Sequence, residues 1–104
     1  MSIEKAVEYV NTNFAMPTTA EDAANIAMIS PSHFRYLFKN ITGKTYVEYV
    51  NGIRVQKAME RLRESNGNVL DICYAVGFES IANFNRVFKR IVGTSPTEFR
   101  KQGL

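Results

Sequence analysis

One cysteine, one histidine and no tryptophan occur among 104 residues, and each scarcity removes a class of function. A lone cysteine makes no internal disulfide, so this is not a small scaffold held by cross-links, and it suits a reducing cytosol. Cys73 and His33 together supply no ordinary zinc set, so neither metal nor cofactor is expected. No window approaches the roughly 18 consecutive apolar residues of a membrane span. The opening MSIEKAVEYV lacks the basic segment and apolar run of a secretory signal. A cytoplasmic location is the expectation. No nucleophile–base pair and no converging carboxylates stand out, so the chain does not read as an enzyme.

What is present is apolar residue in quantity, 45% of the chain, enough for a packed core rather than disorder. The net charge of +3 hides an asymmetry. Residues 1–30 carry Lys5 against Glu4, Glu8, Glu21 and Asp22, a net −3. Residues 31–104 carry twelve basic side chains against six acidic ones, a net +6. A basic surplus concentrated after residue 30 points to an anionic partner there.

The three prolines punctuate a helical pattern. Ile3, Ala6, Val7, Val10 and Phe14 keep helical spacing over 3–14, and Pro17 follows the end of that helix. Thr18 and Glu21 read as a capping box for a short alanine-rich helix over 20–27. Ser30 caps the next helix with Pro31 at its first position, and Gly43 stops it. Its expected buried stripe is Phe34, Leu37, Phe38 and Ile41. Thr45 and Glu48 form another capping box, opening a long helix to Glu64 whose apolar positions are Tyr46, Tyr49, Val50, Ile53, Ala58 and Leu62.

After the turn cluster 65–68 come Val69, Leu70, Ile72, Cys73 and Val76, then a break at Gly77. Phe84, Val87, Phe88 and Ile91 then fall at i, i+3, i+4, i+7, one face of a helix capped by Ser80. Ser95, Pro96, Thr97 and Glu98 start a last short helix. The fold class is all-α, with about seven helices.

An internal repeat organises the chain. At an offset of 50, Ser30 meets Ser80, Phe34 meets Phe84, Phe38-Lys39 meets Phe88-Lys89, and Gly43 meets Gly93. Ile41 falls on Ile91, Thr45 on Ser95, Glu48 on Glu98 and Tyr49 on Phe99. Before the turn the offset is 49: Asp22 meets Asp71, Ala24 meets Cys73, Ala27 meets Val76 and Ile29 meets Phe78. The second turn therefore holds one extra residue near Glu79. This divides the chain into a first helix-turn-helix subdomain (1–44), a linker helix (45–64) and a second subdomain (65–104).

Two helices joined by a tight turn, the second with a basic and amide-bearing outer face, suggest a reader of double-stranded DNA. The outward stripe of the first reading helix is Ser32, Arg35, Tyr36, Lys39 and Asn40. That of the second is Ala82, Asn85, Arg86, Lys89 and Arg90. Arg suits guanine, Asn suits adenine, and a small apolar group suits a thymine methyl. Lys39, Lys89 and Arg90 lie further along and suit phosphates. The helix starts at Lys44-Thr45 and Thr94-Ser95 offer backbone N–H groups to phosphate oxygens, or simply serve as caps. A linker of some 20 residues is about 30 Å long, close to the ~34 Å between successive major grooves on one face of a duplex. His33 suits packing, a cap or a phosphate contact, Cys73 the core, and Arg54, Lys57, Arg61 and Arg63 the solvated side of the linker.

The run Ile72-Cys73-Tyr74-Ala75-Val76-Gly77-Phe78, with Phe84, Arg86, Phe88-Lys89, Gly93, Pro96 and Phe99-Arg100, resembles the signature of AraC/XylS-type transcriptional regulators. Ser30-Pro31-Ser32-His33-Phe34 and Leu37-Phe38-Lys39 are similar to that family's upstream helix-turn-helix, so the resemblance covers about residues 3–101. It implies a seven-helix, two-lobed domain that binds promoter DNA and recruits or positions RNA polymerase. It implies base reading by Ser32, Arg35 and Tyr36 in one groove, and by Ile81, Ala82, Asn85 and Arg86 in the adjacent one. Relatives often carry a separate N-terminal effector-binding or dimerisation domain, and a C-terminal fragment of such a protein is expected here. Two departures stand out: Met28 where the first turn commonly has glycine, and Cys73 where alanine is usual. The alternative reading is a helical protein-interaction module of the same fold with little specific DNA binding.

Overall fold

The structure, a computed structural model, describes residues 3–102. Among these it contains seven helices and no strand: α1 (Ile3–Asn13), α2 (Ala20–Ala27), α3 (Pro31–Thr42), α4 (Tyr46–Glu64), α5 (Val69–Ala75), α6 (Ile81–Val92) and α7 (Pro96–Lys101). The chain forms two compact units, 1–51 and 52–104, and α4 runs across the division between them.

In the first unit, Ile3, Ala6 and Val10 of α1 and Ala23, Ala24 and Ala27 of α2 are buried with Phe34 and Phe38 of α3. The alanines let α2 approach its neighbours closely, and the two phenylalanines fill the centre. Tyr46 and Val50 close this core from the start of α4. Tyr46 sets its ring edge-on to Phe34 and Phe38, with centroids 5.7 and 5.5 Å away. Its hydroxyl meets Thr18 Oγ1 at 2.7 Å.

The second unit repeats the scheme with Val55, Ala58 and Leu62 of α4, Ile72 and Cys73 of α5, and Phe84, Val87 and Phe88 of α6. The repeat extends to ring geometry. Phe34–Phe38 and Phe84–Phe88 have centroids 5.3 and 5.6 Å apart. Phe38–Tyr49 and Phe88–Phe99 are both edge-to-face, at 5.3 and 5.7 Å. Burying such a ring contributes about 1.5–3 kcal/mol, so these four helical phenylalanines anchor their units.

Local chemistry sets the ends. Ser30, Asn68, Ser80 and Ser95 each accept a hydrogen bond from the backbone N–H three residues on. Thr45 and Glu48 exchange reciprocal bonds at 2.8 and 3.2 Å. The box expected at Thr18–Glu21 lies one residue later. Thr19 Oγ1 accepts from Asp22 N–H, and Asp22 Oδ2 accepts from Thr19 N–H. Thr18 is committed to Tyr46 instead, and Glu21 is freed for another partner.

The two turns are more alike than their sequences. Met28 adopts φ 61°, ψ 39°, the left-handed conformation, and Gly77 fills the equivalent slot at φ 108°. Ile29 N–H bonds Ala24 O, and Phe78 N–H bonds Cys73 O, both at 3.1 Å. The two turns thus share one closure despite the glycine missing from the first.

Other apolar expectations change. Ile41 and Ile91, expected on the apolar stripes of α3 and α6, are exposed, as is Leu70 of the apolar segment before Gly77. The first helix ends at Asn13, before Phe14. Val55, absent from the expected α4 stripe, is wholly buried. The spacing of buried positions breaks between Val50 and Val55, where the helix leaves one unit for the other, so a single periodicity does not describe α4.

Candidate nucleic-acid interface

The buried phenylalanines turn the opposite faces of α3 and α6 to solvent. On α3 the positions i, i+3, i+4, i+7 from Ser32 are Arg35, Tyr36 and Lys39, and all four are exposed. On α6 the same pattern from Ala82 gives Asn85, Arg86 and Lys89, again all exposed. Tyr36 is 66% accessible, which excludes a core role for that ring. Arg90 is exposed beside Lys89, and Ile81 is half-buried at the first turn of α6. Each unit therefore brings its expected base-reading residues onto one helix face, with lysine one turn beyond.

The arginines of these stripes are held. Arg35 Nη2 donates to Glu21 Oε2 in the first turn of α2, forming an ion pair. That bond, before all else, holds the Glu21 carboxyl below the usual carboxylate range. Arg86 Nη2 donates to Asn83 Oδ1, one turn back on its own helix. Neither Glu21 nor Asn83 stands out in the sequence as a partner for arginine. Asn83 lies three residues from Arg86, a spacing that makes such a pair readable. Glu21 lies fourteen residues from Arg35 and had a local claim as a capping residue, so only the fold brings the two together.

The two helix starts expected to bind phosphate differ in how far their polar groups are occupied. Lys44 N–H bonds Thr42 Oγ1 at 3.2 Å and Thr45 N–H bonds Glu48 Oε1 at 2.8 Å. Both backbone donors are taken within the chain, which leaves the exposed Lys44 side chain as that corner's cation. Thr94 is half-buried, and its enclosed hydroxyl finds no hydrogen-bond partner among the described residues, while Ser95 Oγ accepts from Glu98 N–H at 3.1 Å. His33 is exposed, its N–H on Ser30 Oγ.

Cys73 is wholly buried, its Sγ 3.6 Å from Ser80 O, and burial pushes its thiol pKa up. Of the basic residues expected on the solvated side of α4, Arg61 and Arg63 are exposed and Arg54 and Lys57 half-buried, with Arg54 5.9 Å from the Phe78 centroid and Arg63 5.0 Å from that of Phe99. A residue quoted only within the family signature, Arg100, reaches the end of α4. Its Nε and Nη2 donate to Leu62 O and Ser65 O at 3.3 and 3.2 Å, satisfying carbonyls that the helix leaves open.

A family model described as a helix-turn-helix domain matches residues 23–102. The chain belongs to the AraC/XylS family of transcriptional regulators. It is 35% identical over 99 residues to the bifunctional transcriptional activator/DNA repair enzyme AdaA of Bacillus subtilis, covering 95% of this chain and 47% of AdaA. It is 39% identical over 80 residues to the probable transcription factor PqrA of Proteus vulgaris, covering 77% of this chain and 66% of PqrA. The chain thus spans about half to two thirds of those relatives.

Among solved structures, the DNA-binding domain of AdpA in complex with a target DNA aligns at TM-score 0.89 and 25% identity, covering 93% of this chain and 87% of that one. An AraC-type regulator from Chromobacterium violaceum aligns at TM-score 0.87 and 25% identity, covering 95% and 88%. As an AraC/XylS domain, the chain has the all-helical, two-helix-turn-helix architecture of a DNA-binding regulator. No helix among the described residues is long and apolar enough to cross a membrane.

Proposed function

We propose that α3 and α6 each enter a major groove of one promoter duplex, in adjacent turns, and that a single copy of the chain reads two unlike half-sites. The observation that carries this reading is the doubled stripe: the same i, i+3, i+4, i+7 pattern, exposed on both helices in the same register over the same pair of phenylalanines. Ser32, Arg35 and Tyr36 read bases from α3. Ala82, Asn85 and Arg86 do so from α6, with Ile81 placed to meet a thymine methyl at its edge. Lys39, Lys89, Arg90 and Lys44 neutralise phosphates, and Thr45, Thr94 and Ser95 line the two helix starts beside the backbone. The stripes differ residue by residue, so the target is asymmetric and needs no protein dimer.

The regulated step is transcription in the cytoplasm, with RNA polymerase as the protein partner at the promoter. A separate N-terminal effector-binding or dimerisation domain is the further partner proposed; the chain spans 47% of AdaA and 66% of PqrA, so both relatives extend beyond the matched stretch. Selection of bound sites from random duplexes, followed by salt titration of the winning sequence, tests the core of the proposal. The expected outcome is a non-palindromic site whose affinity falls steeply as salt rises. Salt-insensitive binding, or none across the pool, would instead support a protein-interaction module.

A further inference from the structure

We propose that Glu21 is a positioning residue for Arg35: it pins the guanidinium on the reading face of α3 and so sharpens base discrimination in the first half-site. The inference rests on the reading of Arg35 as a base contact. It begins with what anchors Glu21. The first turn of α2 is fixed by the Thr19–Asp22 capping box, and Ala23, Ala24 and Ala27 are buried behind it. The Glu21 backbone is therefore held, and its carboxylate restrains an arginine that would otherwise sweep through many rotamers on an exposed helix face.

The geometry leaves the arginine usable. One Nη2 donor meets Glu21 Oε2, and a guanidinium has five N–H groups, enough to keep this bond while presenting two parallel donors to guanine O6 and N7. The carboxylate also lowers the net charge at Arg35, which reduces its attraction to phosphates on any sequence. Both effects act on discrimination in the same direction.

The repeat isolates the pair. At the offsets relating the two units, Glu21 corresponds to Leu70 and Arg35 to Asn85, so the second unit lacks both partners together. There the outward arginine is Arg86, one position on, and its partner is Asn83 of the same helix. Each unit thus holds its stripe arginine through a side-chain oxygen, but draws that oxygen from a different element.

The test compares Glu21→Ala, Glu21→Gln, Arg35→Ala and the Glu21→Ala/Arg35→Ala double variant. Affinity is measured on the selected duplex and on a scrambled one, with a base-preference profile for each variant and circular dichroism to confirm the fold. Glu21→Ala is expected to lower the ratio of selected to scrambled affinity about three- to tenfold, a fraction of what a bidentate base contact supplies. It should relax the same base position that Arg35→Ala relaxes. Glu21→Gln, whose amide oxygen still accepts from Nη2, should retain most of the preference. The double variant should lose no more preference than Arg35→Ala alone.

If Glu21→Ala and Glu21→Gln raise affinity equally on both duplexes and leave the profile intact, Glu21 only repels phosphates and the inference is overturned. Additive losses in the double variant overturn it too. An Arg35→Ala variant with an unchanged profile would defeat the parent reading of Arg35 instead, which separates the two failures.

Discussion

Met28 and Gly77 do the same work in two turns with very different side chains. Both have positive φ, and both precede a residue whose N–H closes back on the helix before it. For an L-residue this conformation costs roughly 1–2 kcal/mol, and the Met28 side chain, 88% accessible, recovers little of that through packing. Met28→Gly removes the strain but adds freedom to the unfolded chain worth roughly 0.5–1 kcal/mol. The balance is an expected gain of about 0.5–1 kcal/mol, seen as a rise of several degrees in thermal melting. A loss of stability would mean that the Met28 side chain contributes more than its exposure indicates.

At this scale the caps were legible because they depend on residues three apart. Ser30, Ser80 and Ser95 all sit where the sequence places them. The Thr18–Glu21 box was misplaced because Thr18-Thr19 and Glu21-Asp22 offer two equally good registers. The Thr18 bond to Tyr46, 28 residues away, shows where Thr18 is used instead. Glu21 and Arg100 were not readable as partners, since their contacts join segments 14 and 35–38 residues apart.

Helix faces were more legible than the extent of their burial. Phe34 and Phe38, and Phe84 and Phe88, identify the inward sides of α3 and α6 by spacing alone, and the outward stripes follow. Spacing gives the face of a helix but not how much of that face is covered, and Ile41 and Ile91 are exposed on the same faces. In α4 two different sets of partners break the pattern, and Val55 escaped notice for that reason. The stripe on α6 carries a prediction about division of labour. Arg86→Ala should weaken the selected site by about 1–3 kcal/mol and relax one base position. Lys89→Ala should weaken all duplexes alike and reduce the salt dependence by about one phosphate. Matching sequence-independent losses from both would contradict the separation of base from phosphate contacts.

For the whole molecule the internal repeat was the most informative signal. It pairs Phe38 with Phe88 and Tyr49 with Phe99, rings that share one edge-to-face geometry in the two units, and the first turn's closure matches the second's despite the difference in offset. Family membership accounts for the two helix-turn-helix units, and the differences between the copies are the ground for proposing an asymmetric target. A chain that reads two half-sites alone makes a demand on DNA that a single helix-turn-helix does not. Hydroxyl-radical footprinting of the selected duplex at one chain per duplex tests this most directly. The account predicts two protected patches on one face, centred about one helical turn, roughly 10 base pairs, apart. Arg35→Ala should fade one patch and Arg86→Ala the other. A single patch, or two patches that appear only when two chains occupy the duplex, would contradict it.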